Sequence, residues 1–270
     1  MLLSAVTAEI PFYLLVPFLL VLFRLVGIFV FVPFFSNSSV PANVRVLLAL
    51  AISVCVWNFV PHVKESALPQ TLPALVIAIA GEMSFGLLIG LMLGALFAGI
   101  QLGGHMISQQ MGLSMAMLYD PSFEDQSTVV EQIAFWIALV AFLAMGGHRE
   151  VINIMIYSFR TVPIGSGGLS PETVSSTVLG AIDTSFHAAT RVAMPALVAF
   201  FVATLTGGLM SRSMPQLNLM SVGITINLLV GMAMIMLGLA GWALVSQESF
   251  HRMFQVLNRL LMPHPALLPF

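Results

Sequence analysis

LPALVIAIAGEMSFGLLIGLMLGALFAGI, Leu72 to Ile100, is an almost unbroken apolar run in which Glu82 is the one charged side chain. A helix needs about 20 such residues to cross the hydrocarbon core of a bilayer, so the run reads as one long, buried helix. Within it Gly86, Gly90, Gly94 and Ala98 recur every four residues, and Gly99 and Gly103 repeat the spacing. Residues four apart share a helix face, and a stripe of small ones lets a second helix backbone lie close. Membrane helices are rich in glycine in general, but three in register, Gly86, Gly90 and Gly94, favour close packing. The spacing is silent on whether the partner helix belongs to this chain or to another.

The run leads into GGHMISQQMGLSMAMLYDP, Gly103 to Pro121. Here two glycines are adjacent, two glutamines follow, and four methionines stand among Ser108, Ser114 and Asp120 with no lysine or arginine. A loop that met only water would be short and charged, and a spanning helix would not carry Gln109, Gln110 and Asp120. Irregular backbone beside membrane segments is tolerated where protein buries it or where it lines a cavity. The stretch is therefore expected to be non-helical and to line or plug a passage, through Gly103, Gly104, Met106, Gln109, Gln110, Met111, Gly112, Leu113, Ser114, Met115, Met117, Asp120 and Pro121. Methionine is flexible and repacks readily, which suits a seal that closes and later yields. Core filling is the plainer role for any single one of them.

Composition sets the class. Of 270 residues, 59% are hydrophobic and 7% charged, and the mean hydropathy is +1.03; a soluble domain carries roughly 25% charged residues. Lipid or other apolar subunits must act as solvent for such a chain. A net charge of -2 gives no basic field for nucleic acid. Cys55 alone excludes an internal disulfide framework, and no Cys/His cluster has the spacing of a zinc site. Neither a G-x-S-x-G elbow nor an H-E-x-x-H pair is present. His105 and His148 each follow a Gly-Gly pair and read as turn-stabilising residues. No enzyme activity, cofactor or metal is expected. The charged n-region of a cleavable signal peptide is missing, the first charged residue being Glu9, so insertion is expected to rest on the apolar segments themselves.

Six apolar stretches follow one another: Pro11–Phe35, Val44–Val60, Leu72–Ile100, Ile133–Phe159, Ala188–Met210 and Leu219–Val245. The second is short for a span, and the fourth is interrupted by Gly146-Gly147-His148-Arg149-Glu150, which breaks or hinges a helix. Thr161–Asp183 reads as a turn and then a separate, partly polar helix starting at Ser170-Pro171-Glu172, with an N-cap, a proline and an acid in its first turn. If all six stretches cross, Lys64, Arg149, Arg160, Arg252 and Arg259 share one side and Arg45 and Arg212 the other, which puts both termini in the cytoplasm. No domain boundary is visible, so residues 1–270 read as a single all-α, membrane-associated domain of about six helical segments, some broken or kinked. Arg24 and Glu82 stand inside apolar stretches, where an isolated charge costs several kcal/mol. They would neutralise each other if the first and third stretches are neighbours; otherwise Arg24 snorkels and Glu82 marks a helix start.

Further fragments occur in order along the chain: Val40-Pro41 with Arg45, Gly81-Glu82, Gln110-Met-Gly-Leu-Ser114 before Asp120-Pro121, Gly146-Gly147-His148, Ser158-Phe159 with Pro163-Ile164-Gly165, Ala193-Met194-Pro195, and Arg212-Ser-Met-Pro-Gln-Leu-Asn218 before Gly223. Together, across nearly the whole chain, they resemble the FliR family of flagellar biosynthesis proteins. QMGLS and the R-x-x-P-Q-x-N segment, with Arg212, Pro215, Gln216 and Asn218, are the specific pieces. The injectisome counterpart is similar in hydropathy but usually lacks the QMGLS wording. The resemblance implies a non-enzymatic subunit of the flagellar type III export gate, in the bacterial inner membrane at the flagellar basal body. It implies assembly with FliP and FliQ, with FlhB around the cytoplasmic mouth, and passage of unfolded flagellar proteins. It also implies that the apparently transmembrane helices pack into a cone around a pore, much of it standing proud of the membrane, and that the segment matching Gly103–Pro121 projects into that pore as part of its plug. Two other classes stay open. A small-solute transporter calls for internal repeats, and none is visible; a scaffold without a pore explains the helices but not the Met/Gly/Gln segment.

Overall fold

The computed structural model describes residues 2–32, 41–60, 69, 71–113, 128–165, 170–213 and 219–261. Among them it forms seven helices and no strand: α1 (Leu2–Phe31), α2 (Ala42–Trp57), α3 (Leu72–Gln110), α4 (Val129–Ala144), α5 (Gly147–Thr161), α6 (Pro171–Ser213) and α7 (Leu219–Leu261). The chain divides into two compact units. One comprises Met1–Ala95, His148–Ala181 and Met253–Phe270, the other Leu96–Gly147 and Ile182–Arg252.

Three helices, α3, α6 and α7, are long and apolar enough to cross a membrane, and α4 with α5 makes a fourth span if the broken pair is counted as one. The apolar parts of α1 and α2, Leu15–Phe31 and Asn43–Trp57, are shorter. Among the described residues, and by length and composition alone, three or four candidate spans thus stand beside these two shorter apolar helices.

The helix ends follow local chemistry. Thr128 caps α4 in a capping box: its side chain accepts the Glu131 N–H, and the Glu131 carboxylate accepts the Thr128 N–H. Ser170 accepts the Thr173 N–H at 3.3 Å and Pro171 opens α6, as the sequence predicts. Two expectations are corrected. The partly polar helix and the Ala188–Met210 stretch are one continuous α6, because Thr184-Ser-Phe-His187 contains no residue that stops a helix. Pro195 lies inside it and withholds one N–H. Likewise α3 does not end at Ile100 but continues to Gln110.

At the break in the fourth stretch, Gly146 has φ +77 and its N–H returns to the Leu143 carbonyl at 3.0 Å. A Cβ at Gly146 would meet nothing within 4 Å, so Gly146→Ala tests backbone strain alone. The left-handed conformation costs an L-residue roughly 1–2 kcal/mol. The expected result is a modest lowering of the thermal midpoint of the purified protein with no other change; a midpoint equal to wild type would mean that the break relaxes.

In the first unit, Leu20, Leu25 and Ile28 of α1 and Ile89 and Met92 of α3 are wholly buried, and Phe18 meets Trp57 of α2 edge-on at 6.0 Å. In the second, Phe97, Phe142 and Phe250 pack with ring centroids 4.9–5.7 Å apart and join α3, α4 and α7. Burying an aromatic side chain of this size stabilises by about 1.5–3 kcal/mol.

Candidate functional site

The glycine stripe of α3 lies against α1 of the same chain. A Cβ at Gly86 would fall on the Arg24 carbonyl, one at Gly90 on the Ile28 carbonyl, and one at Gly94 within 2.6 Å of the Phe31 carbonyl. Gly27 is the reciprocal contact, 2.5 Å from the Met83 carbonyl. The two backbones touch, leaving no room for side chains between them.

That close approach delivers Arg24 to Glu82. The guanidinium is 1% exposed and its Nε donates to Glu82 Oε2 at 2.5 Å. Nη1 donates to the Ser158 carbonyl at 3.0 Å and Nη2 to the Val162 carbonyl at 3.1 Å. Phe85 and Phe159 cover the cation with ring centroids 4.7 and 4.5 Å away. The second carboxylate oxygen of Glu82 accepts the Gly165 N–H at 3.0 Å, from a turn in which Gly165 has φ +81. The planar fork of arginine thus ties α1 to α3, to α5 and to the chain that leaves α5. Glu82, Ser158 and Gly165, taken from three separate motif fragments, converge on this one ion pair, Ser158 through the guanidinium and Gly165 through the carboxylate. Sequence reading misses Ser158, Val162 and Gly165 as partners, since two give carbonyls and one an N–H that any residue type carries.

The second unit holds the part of the proposed plug that lies among the described residues. Gly103, Gly104, Met106, Gln109 and Gln110 are helical, in the last two turns of α3, which corrects the expectation of irregular backbone. The glycine pair does not stop the helix; it packs on two sides. A Cβ at Gly103 would stand 2.8 Å from the Ala189 carbonyl of α6, and one at Gly104 3.0 Å from the Val130 carbonyl of α4. These contacts offset the roughly 1 kcal/mol that each glycine costs a helix.

The stop is Gly112, with φ +82. Its N–H reaches the Gln109 carbonyl at 3.1 Å, and the Leu113 N–H reaches the Ser108 carbonyl at 3.2 Å, the paired bonds of a Schellman turn. Met111, in this turn, is 3% exposed, whereas Gln109 and Gln110 beside it are exposed. Ser114, Met115, Met117, Asp120 and Pro121 lie outside the described residues, as do Pro215, Gln216, Asn218 and the side chain of Arg212.

His105 joins this end of α3 to the start of α4. Its Nδ1 lies 2.7 Å from Glu131 Oε1, an oxygen that also accepts the Thr128 hydroxyl at 2.8 Å. Its Nε2 lies 2.7 Å from Gln109 Nε2. Where the Gln109 amide donates to Nε2, Nδ1 carries the proton that the Glu131 carboxylate accepts. On α6 and α7, Glu248 accepts from Arg191 and from Arg252, each at 2.6 Å. Among the described residues, no group of three or more His, Cys, Asp or Glu is arranged to hold a metal.

A family model for bacterial export proteins, family 1, matches residues 15–253. The flagellar biosynthetic protein FliR of Bacillus subtilis is 26% identical over 246 residues, 90% of this chain and 94% of that protein. FliR of Escherichia coli is 27% identical, covering 91% of this chain and 93% of its own length. FliR of Aquifex aeolicus is 27% identical, with 90% and 92% covered.

Proposed function

This chain belongs to family 1 of the bacterial export proteins, as a FliR-type membrane subunit of the flagellar export apparatus, and we propose that it forms part of the export pore and supplies part of its plug. The observation that carries the reading is the turn at the end of α3. Met111 is buried and the Schellman bonds fix Gly112 and Leu113, so the chain that follows starts from a rigid stalk. The His105–Glu131 bond braces that stalk against the first turn of α4, where the chain returns. A Met-, Gly- and Ser-rich sequence between two braced ends suits a seal that deforms around an unfolded cargo and closes again.

In this reading residues 1–270 act as one gate domain that works by shape, with neither cofactor nor catalytic group. Homologues of FliP, FliQ and FlhB are its neighbours in the bacterial inner membrane at the basal body, and unfolded flagellar proteins are its cargo. The poor burial of α6 and α7 supports a role among such neighbours: in their most apolar stretches 22% and 11% of residues are buried, leaving a large apolar surface for other subunits or lipid to cover.

Deleting residues 113–117, while keeping Met111 and α4, is expected to leave assembly intact and to make cells leak ions and small solutes. A membrane permeability assay on cells expressing the apparatus reads it. Leakage at the wild-type level, with the complex recovered normally, removes the plug role.

A further inference from the structure

Helix α5 has two unlike faces. Val151, Ile154, Met155, Ser158 and Phe159 are buried. Ser158 holds the Arg24 guanidinium and Phe159 covers it, so this face is fastened to the rest of the first unit. On the other side Arg149, Asn153, Ile156 and Arg160 follow one another at helical steps of four, three and four residues, which sets them in one line along the helix. Arg149, Asn153 and Arg160 are exposed and Ile156 is half-buried. Ile152 borders the line on one side and Tyr157 on the other, 47% and 41% exposed. The Arg160 guanidinium stands over the Tyr157 ring, 5.9 Å from its centroid.

Two observations point to what meets this face. Among the described residues neither Arg149 nor Arg160 pairs with a carboxylate, whereas Arg191 and Arg252 share Glu248. Glu150, the acid of this helix, lies roughly 100° round from Arg149, off the line. The exposed surface also changes character across the break at Gly146. From Trp136 to Ala144 every exposed residue of α4 is apolar, namely Trp136, Val140, Leu143 and Ala144; the exposed residues of α5 begin His148-Arg149-Glu150. A chain that leaves hydrocarbon for the headgroup layer changes in this way.

We propose that the exposed face of α5 lies in the headgroup layer of the membrane and binds anionic phospholipid. Arg149 and Arg160 take the phosphates, Ile152 and Ile156 rest on the acyl boundary, and Tyr157 sits between the two. Helices that lie in the interface join basic residues to aliphatic and aromatic ones in this manner. A guanidinium fork matches a phosphate with two parallel hydrogen bonds, and a tyrosine keeps its ring in an apolar place and its hydroxyl in a wet one. An acidic protein segment would also answer the arginines; the apolar exposed end of α4, next in sequence, favours lipid. The assignment holds whether or not the segment after α3 is a plug.

The test uses the assembled complex. Asn153→Cys in a Cys55→Ser background carries a fluorescent label on the arginine line, and the complex is reconstituted in vesicles of phosphatidylethanolamine and phosphatidylglycerol. Spin-labelled lipid then quenches the label according to contact. Lipid labelled at the headgroup is expected to quench more than lipid labelled at the acyl-chain end, and labelled phosphatidylglycerol more than labelled phosphatidylethanolamine. Arg149→Gln and Arg160→Gln are each expected to reduce the preference for phosphatidylglycerol by about fivefold at low salt. No quenching by either lipid means that protein or water covers the face, and overturns the proposal. Stronger quenching from the acyl-chain end overturns it too, since the helix is then inside the hydrocarbon. Equal quenching by the two lipid types, or a preference that survives both glutamines, overturns the role of the arginines. Where the glutamine variants fail to assemble, salt decides on the labelled parent: the preference must fall as ionic strength rises, and one that does not fall overturns the proposal.

Discussion

Arg24→Ala is expected to remove the chain from recovered complexes almost completely. The substitution leaves the Glu82 carboxylate buried, and takes the donors from the Ser158 and Val162 carbonyls. Breaking a buried ion pair by deleting one member costs about 3–5 kcal/mol, a large part of the roughly 5–15 kcal/mol that holds a domain together. Arg24→Lys should recover only in part, because an ammonium lacks the flat fork that serves a carboxylate and two carbonyls at once. A pair considered by charge alone predicts that exchanging the residues, Arg24→Glu with Glu82→Arg, restores assembly. The geometry predicts otherwise: a carboxylate on α1 would face two carbonyl oxygens. The amount of complex in a mild-detergent pull-down, measured for each single variant, for lysine and for the exchange, distinguishes the two. Normal recovery of Arg24→Ala would show that the guanidinium is not the tie described.

Gly86→Leu should be nearly as damaging, and for a linked reason. The contact at Gly86 is with backbone, the Arg24 carbonyl, so no rotamer change can relieve it. Overpacking in a core typically costs about 1–3 kcal/mol; here α1 must move bodily, and Arg24 moves with it away from Glu82. Alanine substitutions should rank the stripe, with the greatest loss at Gly86, less at Gly90, and least at Gly94, where the carbonyl is 2.6 Å from the added carbon. Co-purification with the other apparatus proteins and swimming motility are the measurements. Full yield and motility for leucine at Gly86 and Gly90 would mean that the helices do not approach as closely as described.

These two sites differ in how far the sequence reveals them. Arg24 and Glu82 are visible because a charge in an apolar stretch demands a partner, and side-chain type records the demand. Val162 and Gly165 are not visible, since they contribute main-chain atoms, and Ser158 is held mainly through its carbonyl, with its hydroxyl farther off at 3.4 Å. The glycines show a second limit. The absence of a side chain can serve either space or conformation, and one sequence does not say which. Gly103 and Gly104 look like a helix stop and in fact make room for α6 and α4; Gly112, two turns on, is the stop, because it alone of the three has positive φ. The partly polar start of α6 looks like a separate helix for a similar reason: composition reports solvent exposure, while continuity depends on the absence of a breaker. The helical class follows from patterns of ten residues or more, and the break at Gly146 from a glycine pair and two charges set inside an apolar stretch; both are plain in the sequence.

Gly231 of α7 is buried under the Met111 side chain, and that contact says something about time. With every other residue between Gly223 and Gly241 at least partly open, this stretch of α7 has helical backbone hydrogen bonds and little packing within the chain to keep them closed. Slow amide exchange in a helix comes from contacts that must be broken before it can open. Along this stretch of the lone chain, the contact with Met111 is the one that covers a residue fully. Around Arg24 the contacts belong to the chain itself, so protection there is intrinsic. Along residues 223–241 of α7 it is set by whatever lies over the helix, and the rate at which those amides exchange is a clock on the assembly rather than on the subunit.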